Sequence, residues 1–438
     1  MSQRSASSPG APRPGQLIGW LALLLVACNL TAQPMATPSP APASTPGGGR
    51  LVVAWVDAGN LMVWRSGEQA PRRIASGGVV QPYLSPDGRY VAFTRGPQGN
   101  ALALWLADVE GLTERELVGP DDLAADGEAQ GYARHVGQVG WLDGETVLFN
   151  TRFVPQIPAP GGGKADDLWR GSALTHTASR LLPDGQGGDF AISPDGAWVA
   201  LVTPGRYQAT QGLIRLVDAQ GQAVTDMLRF DAVSTGSEYA FYPRPHWLPS
   251  STALLVAIPH PDLVYATQAD RAERSVALWR LGIGGGAIQN GAVPASFFGL
   301  PRWSPDGEWM TYLETVGEPA DNTLALVLAR GDGSQSTQLL TGAVGALEPP
   351  QWSTAGYFYT YGAPGEAWLG RPGLPATRFP GEGERVFALT WADATTALYA
   401  SAPGSPYALR LYDLDEASLA AIATASSGPP AFDARRVP

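Results

Sequence analysis

The 438-residue chain contains one cysteine and four histidines, and only 16% of its residues are charged. One cysteine excludes an intramolecular disulfide and a thiolate zinc site. Lys and Arg number 29 against 40 Asp and Glu, a net charge of −11. With its basic residues scattered, the chain is not read as a nucleic-acid binder. The apolar run at residues 16–27, QLIGWLALLLVA, falls short of the ~20 residues that a membrane-spanning helix needs. No phosphate-binding loop, no G-x-S-x-G elbow and no H-x-x-x-H spacing occurs. Long helices are disfavoured as well. The 53 Gly and 39 Pro make up about a fifth of the chain, and Gly costs entropy inside an element while Pro removes a donor. What the chain does have is 44% hydrophobic residues and 14 Trp, enough to bury a large core.

Arg4 and Arg13 precede the apolar run, and no acidic residue does. That order fits an export signal over residues 1–27. The run ends Leu25-Val26-Ala27-Cys28, which resembles the bacterial lipobox. The resemblance implies acylation of Cys28 and attachment to the extracytoplasmic side of a bacterial membrane. Two or three acyl chains would hold firmly where one would not. Residues 28–49 are rich in Pro, Ala, Ser, Thr and Gly and carry no charge, as a semi-extended tether does.

From residue 50 onwards one pattern recurs. Its sharpest copies are PYLSPDGRYVAFTR (82–95), FAISPDGAWVALVT (190–203) and PRWSPDGEWMTYLE (301–314). Weaker copies start at 138, 244, 349 and 387. The residues before the turns are Leu84, Trp141, Ile192, Trp247, Trp303, Trp352 and Trp391. They lie about 39 to 57 residues apart, a period that indicates a repeat architecture. Within one unit a short apolar strand ends at Ser-Pro-Asp-Gly. The Ser or Asp side chain bonds local amides, Pro presets φ and Gly supplies positive φ. An alternating strand, a third strand and a weaker fourth follow, and four antiparallel strands make a propeller blade.

The SPDG turns, with an apolar or aromatic residue before them and an apolar-Ala-Phe strand after, resemble TolB-type propeller repeats. They also resemble the propellers of prolyl oligopeptidase relatives. The resemblance covers residues 50–438 and implies an all-β propeller. It does not imply TolB's role, because no α/β domain precedes the repeats, and propellers host many functions. Seven full units begin near 82, 137, 188, 243, 298, 347 and 386. Residues 51–76 supply three more strands, and PPAFDARRV (429–437) supplies a lone inner one, with Phe432 in the aromatic place. The expectation is eight blades closed by both termini; the alternative is seven with the N-terminal hairpin outside.

Turns between first and second strands, and between third and fourth, emerge on one face and are short here. The other links emerge on the opposite face. They include long insertions at 119–135, 152–167, 204–211, 231–246 and 259–273. Long loops on a rigid scaffold carry binding. Their aromatic and basic residues are the candidate binding set: Tyr132, Arg134 and His135; Arg206 and Tyr207; Tyr239, Phe241, Tyr242 and Arg244. The acidic pairs Asp121-Asp122 and Asp166-Asp167 read as solvated loop charges. His135, His176, His246 and His260 read as satisfied or exposed. No catalytic residue, cofactor or metal is expected. The leading expectation is a membrane-anchored module that binds a protein or peptide through the long-loop face. A glycan-active enzyme, such as a polysaccharide lyase, and a sensor subunit are the alternatives.

Overall fold

The computed structural model describes residues 49–437, apart from 98–99, 125–130, 157–161, 268–269, 271–272, 317–322, 344–349, 362–364, 380–384, 403–405 and 426–429. The chain divides into two units, Met1–Met35 and Ala36–Pro438. The first unit, Cys28 and the tether up to residue 48 lie outside the described residues.

The second unit is an eight-bladed β-propeller. Eight antiparallel sheets have four strands each. Seven are built from consecutive strands, and their first strands are Val79–Leu84, Tyr132–Trp141, Asp189–Ile192, His246–Trp247, Arg302–Trp303, Gln351–Trp352 and Val386–Trp391. These are blades 2 to 8. Blade 1 takes Arg50–Asp57, Asn60–Arg65 and Arg72–Ala75 from the start and Phe432–Val437 from the end of the chain. The two termini therefore close the ring, and no blade is left with an open seam there. First strands are the inner ones. They pack against the first strands of neighbouring blades, whereas fourth strands such as Ala287–Val293 and Ser418–Ala425 are largely exposed.

Both faces of each blade are covered, so alternation along a strand sorts side chains between two neighbours rather than between core and solvent. In Tyr90–Arg95, Val91 and Phe93 pack toward blade 1 while Ala92 packs toward blade 3. Each interface between neighbouring blades has its own buried apolar cluster. Burial at about 25 cal/mol per Å2 of apolar surface is the main force joining the blades.

The SPDG turn is held by its serine. Ser85, Ser193 and Ser304 are almost fully buried. Each hydroxyl donates to the Asp two residues on, at 2.7, 2.6 and 2.5 Å. Each also accepts the N–H five residues on, at 3.0, 2.9 and 3.0 Å. The glycines at 88, 196 and 307 have φ of 66°, 69° and 75°, which a side chain resists.

The tryptophan before the turn joins blades. The indole N–H groups of Trp141, Trp247, Trp352 and Trp391 donate to the carbonyls of Tyr83, Ala191, Arg302 and Gln351 on the preceding inner strand, at 3.0, 2.9, 2.9 and 3.3 Å. Trp303 departs from the rule and donates to Gly331 within its own blade at 3.0 Å. In blade 1 the structure corrects the sequence reading. Arg436 pairs with Leu51 as Leu84 pairs with Val91, so Arg436 holds the aromatic place and Phe432 lies four residues earlier, paired with Trp55. The Arg436 guanidinium reaches Asp393 of blade 8 in place of an indole.

Candidate functional site

The long links all join second to third strands, or a fourth strand to the next blade. They therefore share one face, the loop face. Three of them, and the short link at 294–301, are tied into one surface over blades 4 to 6. The Tyr207 hydroxyl donates to the Asp262 carboxylate. The Ser234 N–H donates to the Pro261 carbonyl at 2.8 Å, and its hydroxyl to the Tyr265 oxygen at 3.1 Å. Phe241 packs on Phe297 at 5.8 Å, and Phe297 meets Phe298 edge-on at 5.2 Å.

This surface displays aromatic rings to solvent. Tyr207, Tyr239, Tyr265 and Phe298 are 38%, 46%, 56% and 60% exposed. Exposed aliphatics elsewhere, such as Leu112 and Leu174, stand singly on turns of the opposite face. Single exposed apolar residues need no explanation, but several exposed aromatics on loops that contact one another, with arginine nearby, have the composition of a binding surface. Arg206 is exposed beside Tyr207. Tyr265 and Phe298 lie outside the sequence-derived set and are brought to it by contacts between loops.

Blade 3 contributes a polar wall. The Arg134 side chain is fully buried. It bonds Asp167 at 3.2 Å, Asp184 at 2.7 Å and the Thr151 hydroxyl at 3.0 Å. Asp167 also accepts the Thr151 N–H at 2.7 Å and the Trp169 indole at 2.6 Å. Arg134 is thus spent on holding the loop base, and a partner cannot reach it. His135 is likewise buried, with Nδ1 unpaired. Burial, then the nearby Arg152 cation, pushes it down to about 4, so it is a neutral interior ring rather than a satisfied or exposed one. Tyr132 is half-buried at the outer end of the same strand.

Asp167 is not solvated, and Asp166 is half-buried. Asp167 is completely buried, and burial pushes the Asp166 carboxyl up to about 6, against the opposing pull of a hydrogen bond from Tyr242. That Tyr242 bond is 2.8 Å, and Lys164 lies 3.9 Å over the Tyr242 ring while pairing with Asp189. Tyr242 therefore couples the blade 3 loop to the link between blades 4 and 5. Asp121 and Asp122, by contrast, are exposed on a short helix, Pro120–Ala124. Among the described residues no three His, Cys, Asp or Glu converge as metal ligands.

Three arginines on or beside the inner strands have a different environment. Arg152 lies on the second strand of blade 3, Arg244 just ahead of the inner strand of blade 5, and Arg302 at the start of the inner strand of blade 6. Arg152 and Arg244 are exposed and Arg302 is half-buried. Even so, desolvation is the main influence on each and pushes it below the ordinary guanidinium value, Arg302 to about 9.

No protein-family model matches the sequence, and neither does any curated protein. Solved propellers do match the fold. TolB from Acinetobacter baumannii is 12% identical over 89% of this chain and 67% of its own, with a TM-score of 0.37. AztD from Citrobacter koseri is 12% identical, covering 89% and 97%, with a TM-score of 0.47. An oligogalacturonate lyase in complex with manganese is 14% identical, covering 84% and 98%, with a TM-score of 0.47. At these levels the likeness is one of β-propeller architecture.

Proposed function

We propose that this chain is an extracytoplasmic, membrane-anchored binding module that engages a protein or peptide through the loop face of blades 4 to 6. The observation that carries the reading is the exposure of Tyr207, Tyr239, Tyr265 and Phe298 on loops that are tied to one another across blades. Rigid aromatics bury large area at low entropic cost, and they are the residues that dominate binding energy. The location rests on the N-terminal sequence: the apolar run, the lipobox-like Leu25-Val26-Ala27-Cys28 and the uncharged tether. Among the described residues no helix is long and apolar enough to cross a membrane.

Affinity capture from solubilised membranes tests the surface. A Tyr239→Ala/Phe298→Ala variant should lose the partners that the wild-type chain retains, with its unfolding midpoint unchanged, since both rings are exposed. An identical set of partners would refute the reading. A Cys28→Ala variant tests the anchor and should leave the membrane fraction.

A further inference from the structure

The chain has six asparagines, and only Asn290 is followed by glycine. It lies on the outer strand of blade 5, Ala287–Val293. The ladder to the third strand shifts at this point. Trp279 faces Gln289 and Leu278 faces Gly291, so Asn290 is the extra residue of a β-bulge and has no partner across the ladder. Residues 287–290 are exposed, and the outer edge of the strand pairs with no other strand. Among the described residues the Asn290 amide makes no hydrogen bond. By contrast, Asn150 donates to Gly188 and Asp189 at 2.9 and 3.2 Å, and Asn60 donates to the Asp57 carbonyl at 3.1 Å.

Glycine at 291 is imposed by packing. A Cβ there would lie 2.2 Å from the Asp332 carbonyl oxygen of blade 6. The start of the strand, however, is weakly held. It follows Gly284, Gly285 and Gly286, where an added Cβ would meet nothing within 4 Å, and an exposed edge strand opens at little cost. An asparagine before glycine is open to attack by the next backbone nitrogen, because glycine has no Cβ to shield it. The Gly291 nitrogen bonds to Asn290 Cγ, the Cγ–Nδ2 bond breaks, and the Gly291 amide proton leaves with the departing group as ammonia. Water then opens the succinimide at either carbonyl, giving aspartate or isoaspartate. In the Asp-Gly pairs of the SPDG turns the side chain is a carboxylate, a poorer electrophile, and Ser85, Ser193 and Ser304 hold it in place.

We propose that Asn290 is a site of spontaneous deamidation, a slow covalent timer that takes only water and loosens the strand leading into the Phe297–Phe298 link. The modification stands independently of the peptide-binding reading. Isoaspartate routes the main chain through the former side chain and lengthens it by one atom between 290 and 291. Gly291, Ala292 and Val293 are in register with Leu278, Ala277 and Val276, and the added atom displaces them from that register. Val293 is buried in the cluster shared with Trp303, Met310 and Tyr312 of blade 6, so the displacement is felt between the blades. Either product also places the first charge on a strand that has none. The link at 294–301 starts at the next residue and carries both phenylalanines.

Ageing the detergent-solubilised full-length chain in mildly alkaline buffer, followed by tryptic digestion and mass spectrometry, tests the site. The peptide 281–302 holds Asn290 as its only asparagine. It should gain the mass that replaces –NH2 by –OH and divide into two species, of which an Asp-specific protease cuts only the aspartyl one. The rate should exceed that at Asn60 and Asn100 by at least about tenfold, about 1.4 kcal/mol of barrier. An Asn290→Gln variant, which can close only a slower six-membered ring, should leave the peptide unchanged. Hydrogen exchange at residues 294–300 should rise in the aged wild-type chain and not in the aged variant. A rate at Asn290 no greater than at Asn60 or Asn100 would overturn the proposal. So would a mass gain confined to the urea-unfolded chain, because the fold would then protect the pair. Unchanged exchange at 294–300 in a fully converted chain would overturn the action on the link.

Discussion

Asp433 accepts the backbone N–H of Leu84 at 2.8 Å, across 349 residues of chain. The bond joins the inner strand of blade 1, which the C-terminus supplies, to the inner strand of blade 2. Asp433 is buried, its other oxygen accepts the Ala434 N–H at 2.9 Å, and Arg435 donates to the Leu84 carbonyl at 3.2 Å. One carboxylate thus anchors the last strand to the first complete repeat.

Replacing Asp433 should loosen the ring at this seam. Asp433→Ala strands the Leu84 N–H and removes a charge-assisted bond, a loss of about 2–3 kcal/mol. Asp433→Asn keeps one acceptor but turns an amide N–H2 toward a backbone donor, so it should cost less than Ala and more than nothing. Urea unfolding gives the order wild type, Asn, Ala. Limited proteolysis should show the C-terminal strand cut first in the Ala variant. Equal midpoints for all three would mean that the strand is held by its pairing with Arg50–Asp57 alone.

A second prediction concerns the buried Arg134–Asp167 pair. Both side chains are fully buried. Arg134→Met would leave Asp167 without its cation, although Thr151 and Trp169 would still donate to it. Removing one partner of such a pair typically costs about 3–5 kcal/mol. The Arg134→Met/Asp167→Asn double variant should recover part of that loss. The double-mutant cycle in urea measures the coupling, and additive losses would show that the pair is not energetically linked.

The fold was legible because the repeat states its own chemistry. Buried Ser85, Ser193 and Ser304 each perform the turn role that SPDG implies, and the Trp spacing marks the inner strands. Closure was legible from a hairpin that lacked an inner strand and a C-terminal segment that lacked everything else. The register within that segment was not, because aromaticity pointed to Phe432 while the bond across the seam is made by Arg436. The site was legible only in part. Of the candidate set, Tyr207, Tyr239 and Arg244 are exposed on the loop face, burial withdrew Arg134 and His135 from the surface, and contacts between loops brought in Tyr265 and Phe298. Contacts between loops far apart in the chain leave no local pattern.

The third prediction follows from Asp166 and His135, which titrate in the same window with opposite sign. Burial raises Asp166 to about 6 from an ordinary value of 3.8. Between those values the folded chain holds a proton that the unfolded chain has lost, so this group's contribution to stability is present below pH 4 and is lost as pH rises through about 6. Burial, with the Arg152 cation adding to it, lowers His135 to about 4 from 6.5. There the unfolded chain holds the extra proton, so the contribution of His135 is present above pH 6.5 and is lost as pH falls through about 4. The wild-type slope between pH 4 and 6.5 is the sum of two opposed terms, and single variants separate them. Asp166→Asn suits the backbone, since φ at this position is 53° and Asn tolerates that region. Its amide oxygen can still accept from Tyr242. The Asn variant should gain stability relative to wild type as pH rises from 4 to 7. His135→Gln should instead gain relative to wild type as pH falls from 7 to 4. Urea midpoints at half-unit pH intervals give both differences, and a flat difference for either variant would show that its group titrates alike in the folded and unfolded chains.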